Sequence, residues 1–331
     1  MTEELRVRPY QMLCLVCSLG EEIPGEQGER VRDLRDAIRE YPDRPVSLRA
    51  RALDVYCYQD PGITEDTSEG EEFNRKRDLD ILYRLDLAPG STLPARTLLY
   101  RVLKAIPSVA GLCGYEEVTG EAWRGCARAK TGYYEKGAKA GIEALIAPRD
   151  KEECAREKRA SVAEMYRQEH LRLRPHVIMC AVCHYGSTGG QGAPLANDNI
   201  VEFIEIIRRH PEVPVTLMQG ADWMICASCP RRVPQLNACV NVAGSGGLSN
   251  EKRDLDLLQR IGLTYGSTLP AREMLGLIFE RVPTTMKICR RDSPSLSVWW
   301  DECGENNRTR GEERYEKGRQ MLIEELGLRR P

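Results

Sequence analysis

GSTLPAR stands at residues 90–96 and again, letter for letter, at 266–272. An identical run of that length is not a chance event, and other pieces fall into register around it. KRDLD occurs at 76–80 and 252–256, and YEKG at 134–137 and 315–318. Further out, RPYQMLCLVC (8–17) pairs with RPHVIMCAVC (174–183), and YPDRPVSL (41–48) with HPEVPVTL (210–217). The offset between partners grows from 166 to 169, 176 and 181 residues, so the second copy has the longer loops. The chain therefore reads as two homologous lobes from an internal tandem repeat. The first lobe is expected over 1–148, a charged helical connector over 149–171, and the second lobe over 172–331.

Each copy reads as mainly α with short β segments, an α+β class. GERVRDLRDAIREY (28–41) places Val31, Leu34 and Ile38 on one helical face, and VEFIEIIRRH (201–210) does the same with Phe203, Ile206 and Ile207. RPVSLRA (44–50) and VPVTLMQ (213–219) read as short strands. Helices are expected at NRKRDLDILYRLDL (74–87) and EKRDLDLLQRIGL (251–263), stopped by Pro89-Gly90 and by Gly266. GSTLPAR itself reads as a helix start, with a hydroxyl cap and an early proline. The connector, rich in charge and helix formers, reads as a solvated helix.

Forty-eight basic against fifty acidic side chains give a net charge of -2, without a long basic block. Nucleic acid is not an expected partner. The N-terminus lacks the pattern of a secretory signal and no run of eighteen apolar residues occurs, so a cytoplasmic protein with no membrane association is expected. In a reducing compartment the thirteen cysteines are read as metal ligands or small core residues rather than disulfides.

The repeat compares the cysteines with one another. Five hold their place in both copies: Cys14 with Cys180, Cys17 with Cys183, Cys57 with Cys226, Cys113 with Cys289, and Cys126 with Cys303. Cys229 and Cys239 occur only in the second copy, where they complete CASCP…NAC; the position matching Cys229 is Asp60. Cys154 stands alone in the connector and is read as structural or exposed. A CxxC turn brings two thiolates to one metal, and a proline after the second cysteine is common in iron–sulfur sequences. The preferred ligands are Cys226, Cys229 and Cys239, with a fourth from Cys289, Cys303, Cys180 or Cys183. Cys180 and Cys183, in the apolar VIMCAVC, could equally be one face of a packed helix. Cys14, Cys17, Cys57, Cys113 and Cys126 either form a second site or belong to a degenerate lobe kept for packing.

The order of these segments resembles a family of short uncharacterised bacterial and archaeal proteins that carry a domain of unknown function labelled iron–sulfur binding. VIMCAVC, DWMICASCP, Cys239, KRDLDLLQRIGL and the span from Cys289 through Trp300 to Cys303 carry the resemblance across the second copy, and more weakly the first. It departs from the family in having one histidine, His176, where two usually precede the cysteine, and in the wider spacing of Cys289 and Cys303. The resemblance implies a bound iron–sulfur cluster and no particular substrate.

CAVCH (180–184) also matches a c-type haem attachment site, but Ser18 replaces the histidine in the first copy and no export signal accompanies it. The expected cofactor is a [4Fe-4S] cluster, in a redox or electron-transfer protein that meets a redox protein partner. The alternatives are a structural four-cysteine zinc protein serving as a two-lobed scaffold, and an iron–sulfur enzyme. No Ser-His-Asp order, HExxH, Rossmann glycine pattern or P-loop is present, and His170, His176, His184 and His210 are scattered. His210 is read as a helix-end residue and His184 as polar packing.

Overall fold

A computed structural model describes residues 3–50, 67–239, 247–289 and 308–329. The chain divides into two compact units, Met1–Pro148 and Arg149–Pro331. It is mainly helical, with small sheets of two or three strands.

The first unit runs β1 (Leu5–Val7), α1 (Pro9–Gly20), α2 (Gly25–Glu40), β2 (Pro45–Leu48), α3 (Glu71–Leu85), β3 (Thr92–Pro94), α4 (Ala95–Ala105) and α5 (Tyr133–Ala140). β2 lies between β1, parallel to it, and β3, antiparallel. Pro9 occupies the first helical position of α1, where its missing N–H is no loss. The stripe Val31, Leu34, Ile38 on α2 is buried, as its spacing requires.

The second unit begins with α6 (Lys151–Arg167) and continues through β4 (Leu171–Leu173), α7 (Pro175–Thr188), α8 (Ile200–Arg209), β5 (Pro214–Leu217) and the single turn α9 (Trp223–Cys226). There follow β6 (Arg232–Val233), β7 (Ala238–Cys239), α10 (Leu248–Ile261), β8 (Thr268–Pro270), α11 (Ala271–Arg281) and α12 (Arg308–Glu325). β5 sits between β4, parallel, and β8, antiparallel. The pairing repeats that of the first unit down to the register: Pro45 faces Pro94, and Pro214 faces Pro270. Phe203, Ile206 and Ile207 on α8 are buried, and His210 ends that helix.

The repeated YEKG has a physical cause. α5 packs on α1, and α12 on α7. A Cβ on Gly137 would stand 1.9 Å from the Val16 carbonyl oxygen, and one on Gly318 would stand 2.1 Å from that of Val182. Only glycine lets the backbones meet this closely. The tyrosine of the same motif is tied to the end of another helix: Tyr134 donates to the Ile106 carbonyl at 2.7 Å, and Tyr315 to that of Val282 at 2.8 Å.

Three expectations are corrected. GSTLPAR does not begin with a capped helix: Thr-Leu-Pro forms β3 or β8, and the helix starts at the following alanine with no side-chain cap. The proline forces its predecessor toward extended backbone, and the strand β2 or β5 is there to pair with it. The KRDLD helices end earlier than read, at Leu85 and Ile261, because Asp86 (φ 52°) and Gly262 (φ 71°) adopt left-handed caps. Finally, α6 is not a solvated linker. Ser161 and Met165, one turn apart, are fully buried, and Met165 joins the second unit's core. Lys158 pairs with the buried Glu202 at 2.6 Å. Among the described residues no helix is long and apolar enough to cross a membrane.

Candidate metal centre

In the first unit, α1 carries Cys14 and Cys17 one turn apart. Cys113 and Cys126 come from the irregular segment after α4, joined by a bond from the Cys126 N–H to the Cys113 carbonyl at 2.7 Å. Gly125 permits that approach: its φ is +79°, and a Cβ would lie 2.7 Å from the same carbonyl. The four thiols are within electrostatic reach of one another. Burial pushes the Cys14 thiol far up, with Cys113, Cys126 and Cys17 adding to the effect and Arg77 opposing it. Burial likewise raises Cys113 to about 12 against the pull of Arg77, and raises Cys126. All four are free thiols. Gln27 Nε2 donates to Cys14 Sγ at 3.7 Å, and Arg128 Nε to Cys17 Sγ at 3.5 Å.

Beside Cys14, Cys113 and Cys126 lies Arg77, 1% exposed. Its guanidinium lies over the rings of Tyr10 (4.4 Å) and Phe73 (5.1 Å). It donates to Asn74 Oδ1, to Thr67 Oγ1 at 3.3 Å and to the Cys113 thiol, none of them a carboxylate, and its Nε has no partner. The neighbouring Asp78 is held by Arg8 at 2.6 Å. Burial acts against the charged form of Arg77, and Cys113, Cys14, Glu69 and Asp78 favour it, the two cysteines only once they are thiolates.

In the second unit Asp222 caps α9, accepting from the Ile225 N–H at 3.0 Å, and Cys226 ends that turn. The Cys229 N–H donates to the Cys226 carbonyl at 3.0 Å, closing the CxxC turn. The β6–β7 hairpin, with Arg232 opposite Cys239, returns the third cysteine to the first two. Cys226 and Cys229 each feel Cys239, and burial raises both thiols. Asn250 Nδ2 donates to Cys239 Sγ at 3.5 Å, and Asn250 Oδ1 accepts from Arg253 at 2.7 Å. Ser228, inside the CxxC, is fully buried with its hydroxyl unpartnered.

So Cys226, Cys229 and Cys239 form one neighbourhood. Of the candidates for a fourth ligand, Cys183 on α7 and Cys289, beyond the end of α11, both lie near the buried Tyr315 of α12. Cys180 lies one turn before Cys183 on α7. Cys57 and Cys303 lie outside the described residues. Cys154 is partly buried on α6. Among the described residues no three Cys, His, Asp or Glu side chains are drawn together tightly enough to hold a metal ion as they stand. Ligation would require the buried thiols to lose their protons and close on the ion.

Sequence reasoning missed Arg77. Its position inside the repeated KRDLD offered a signal, since two copies kept a charged pair where one helical face is apolar. The sequence also kept no trace of the buried His184 Nε2, which has no partner. No family model, curated protein or solved structure matches this chain.

Proposed function

We propose that this chain is a thiolate-ligated metal protein, an iron–sulfur protein with a redox or electron-transfer role, built by tandem duplication of one metal-binding lobe. The observation that supports this is the charge around Arg77. Burying an unpaired ion costs several kcal/mol, whereas cation–π contact with Tyr10 and Phe73 returns about 2 kcal/mol. With four neutral thiols the guanidinium has only Glu69 and Asp78 as counter-charges, and Asp78 is already held by Arg8. Four thiolates around a cubane cluster or a zinc ion carry a net negative charge beside it and supply the counter-ion. The matched cysteine positions and the family resemblance point the same way.

On this reading Cys14, Cys17, Cys113 and Cys126 hold the first lobe's metal. Cys180, Cys183, Cys289 and Cys303 are their counterparts in the second, and Cys226, Cys229 and Cys239 form a separate thiol group. The cluster would supply one-electron chemistry; the chain's residues bury it and balance its charge. The test is Cys113→Ser against Cys154→Ser, each purified without oxygen and analysed for iron, sulfide and zinc. Cys113→Ser should lose about one site's metal and Cys154→Ser none. Equal metal content in both variants would remove Cys113 from the site, and zinc without iron would select the scaffold reading.

A further inference from the structure

The two copies diverge where α1 and α7 end. The first unit joins α1 to α2 through residues 21–24, whereas the second joins α7 to α8 through residues 189–199, a stretch that carries Gly189, Gly190 and Gly192. The residue directly after the second shared cysteine changes as well. In the first unit it is Ser18, whose hydroxyl is satisfied within its own helix, donating to the Leu15 carbonyl at 2.7 Å. In the second it is His184, whose Nε2 is buried and has no partner. A buried ring nitrogen left in that state is a net loss unless something outside the chain completes it.

His184 lines a pocket of about 40 Å³ between α7, α8 and the loop that joins them. One water needs only ~10–15 Å³. Two polar atoms converge beside Gly192 in the pocket wall: a Cβ on that residue would stand 2.9 Å from His184 Nε2 and 3.3 Å from Thr188 Oγ1. The Thr188 proton is committed within the helix, to the His184 carbonyl at 3.0 Å or the Tyr185 carbonyl at 3.2 Å, so its oxygen is left as an acceptor. Ala181, Ile200, Val201 and Ile204 make the apolar part of the wall. Arg208 and Tyr185, also in the wall, are both bonded to Glu325.

We propose that this pocket binds a short-chain alcohol, with the ligand hydroxyl placed between His184 and Thr188. The hydroxyl accepts from the His184 Nε2–H and donates to Thr188 Oγ1, and the alkyl chain lies on Ile200, Val201 and Ile204, where carbon is favoured over a chain of waters. About three carbons fill the volume that a single water would leave over. A carboxylate has no proton to give Thr188, and it would meet Glu205 in the wall and Asp198, which is within electrostatic reach of the His184 ring. Because Ser18 is already bonded at the equivalent place in the first unit, one site per chain follows. The site does not rest on a metal being bound.

The experiment is nuclear magnetic resonance of the full chain with its histidine rings carbon-13 labelled at Cε1. Four histidines give four ring signals, and the one missing from His184→Gln is that of His184. Titration with 1-propanol should shift the His184 signal alone and saturably, with a Kd on the order of 1 mM for so small a ligand. Thr188→Val, which removes the acceptor, should weaken binding about fivefold. Gly192→Ala, which puts a methyl group between the two polar atoms, should weaken it by at least about tenfold. A shift that rises linearly with propanol, meaning a solvent effect over a pocket that holds only water, would overturn the proposal. So would an equal response to sodium acetate, or binding unchanged in Thr188→Val. Should Gly192→Ala fail to fold, seen as collapse of the four signals, Thr188→Val carries the decision. Iron and zinc are assayed on the same preparation: a saturable His184 response without metal would leave this proposal standing while removing the metal reading, and the reverse outcome would do the opposite.

Discussion

Replacing Gly318 by alanine adds one methyl group to α12 on the side that meets α7, and two physical effects then oppose each other. Helix propensity alone favours alanine over glycine by about 1 kcal/mol in a helix interior. Packing acts the other way: the new Cβ would lie 2.1 Å from the Val182 carbonyl oxygen and 3.0 Å from the Gly186 nitrogen. Carbon–oxygen contacts normally begin near ~3.3 Å, so the helices must part by about 1 Å. The obstacle is backbone on both sides and cannot rotate away, which places the cost at the upper end of the ~1–3 kcal/mol typical of overpacking. Subtracting the propensity gain leaves a net loss of about 2 kcal/mol, or roughly 4–8 °C in the Tm of a unit this size. Gly311, on the same helix, has nothing within 4 Å of its would-be Cβ. Gly311→Ala should therefore stabilise by up to about 1 kcal/mol. Urea unfolding followed by circular dichroism reads both variants. If Gly318→Ala matches or exceeds Gly311→Ala in stability, the close crossing of α7 and α12 is wrong.

Other consequences follow from the buried polar groups. Tyr315→Phe leaves the Val282 carbonyl unpaired in the core and should cost about 1–3 kcal/mol, measured by the same unfolding. Burial would raise Asp254, but His176 and Arg174 outweigh it and hold its carboxyl below the usual range. Its contribution is therefore fully present above the unfolded value near ~3.9 and is lost as pH falls through the lower folded value. Asp254→Asn should cost about 3–5 kcal/mol at pH 7 by leaving Arg174 unpaired, with the gap to wild type closing only at strongly acid pH. Arg77→Met should change sign with metal: a gain of about 1–4 kcal/mol in the metal-free protein, where a buried cation is removed, and a loss in the loaded one. The same sign in both states would show that Arg77 does not balance the thiolates.

Where a pattern spanned several turns, the sequence was explicit. Val31, Leu34 and Ile38 on α2 and Phe203, Ile206 and Ile207 on α8 are buried as their spacing demands. β1 (LRV) and β4 (LRL) are too short to show any period, and they become strands because β2 and β5 are there to pair with them. Met165 and Ser161 make so thin a stripe among the charges of α6 that the helix read as a linker. The gathering of Cys226, Cys229 and Cys239 was visible in CASCP…NAC, since a CxxC turn and a short hairpin are local structures. That Arg77 would be buried among Cys14, Cys113 and Cys126 was not visible, because the burial arises from segments spread over residues 14–126 that only the fold brings together.

The most direct measurement is metal and acid-labile sulfide analysis, with visible absorption, of the full chain purified without oxygen. The account predicts a brown protein that contains iron and sulfide at cluster stoichiometry and bleaches with dithionite. A colourless protein without iron would contradict it, and one with neither iron nor zinc would remove thiolate ligation altogether, leaving Arg77 beside four neutral thiols.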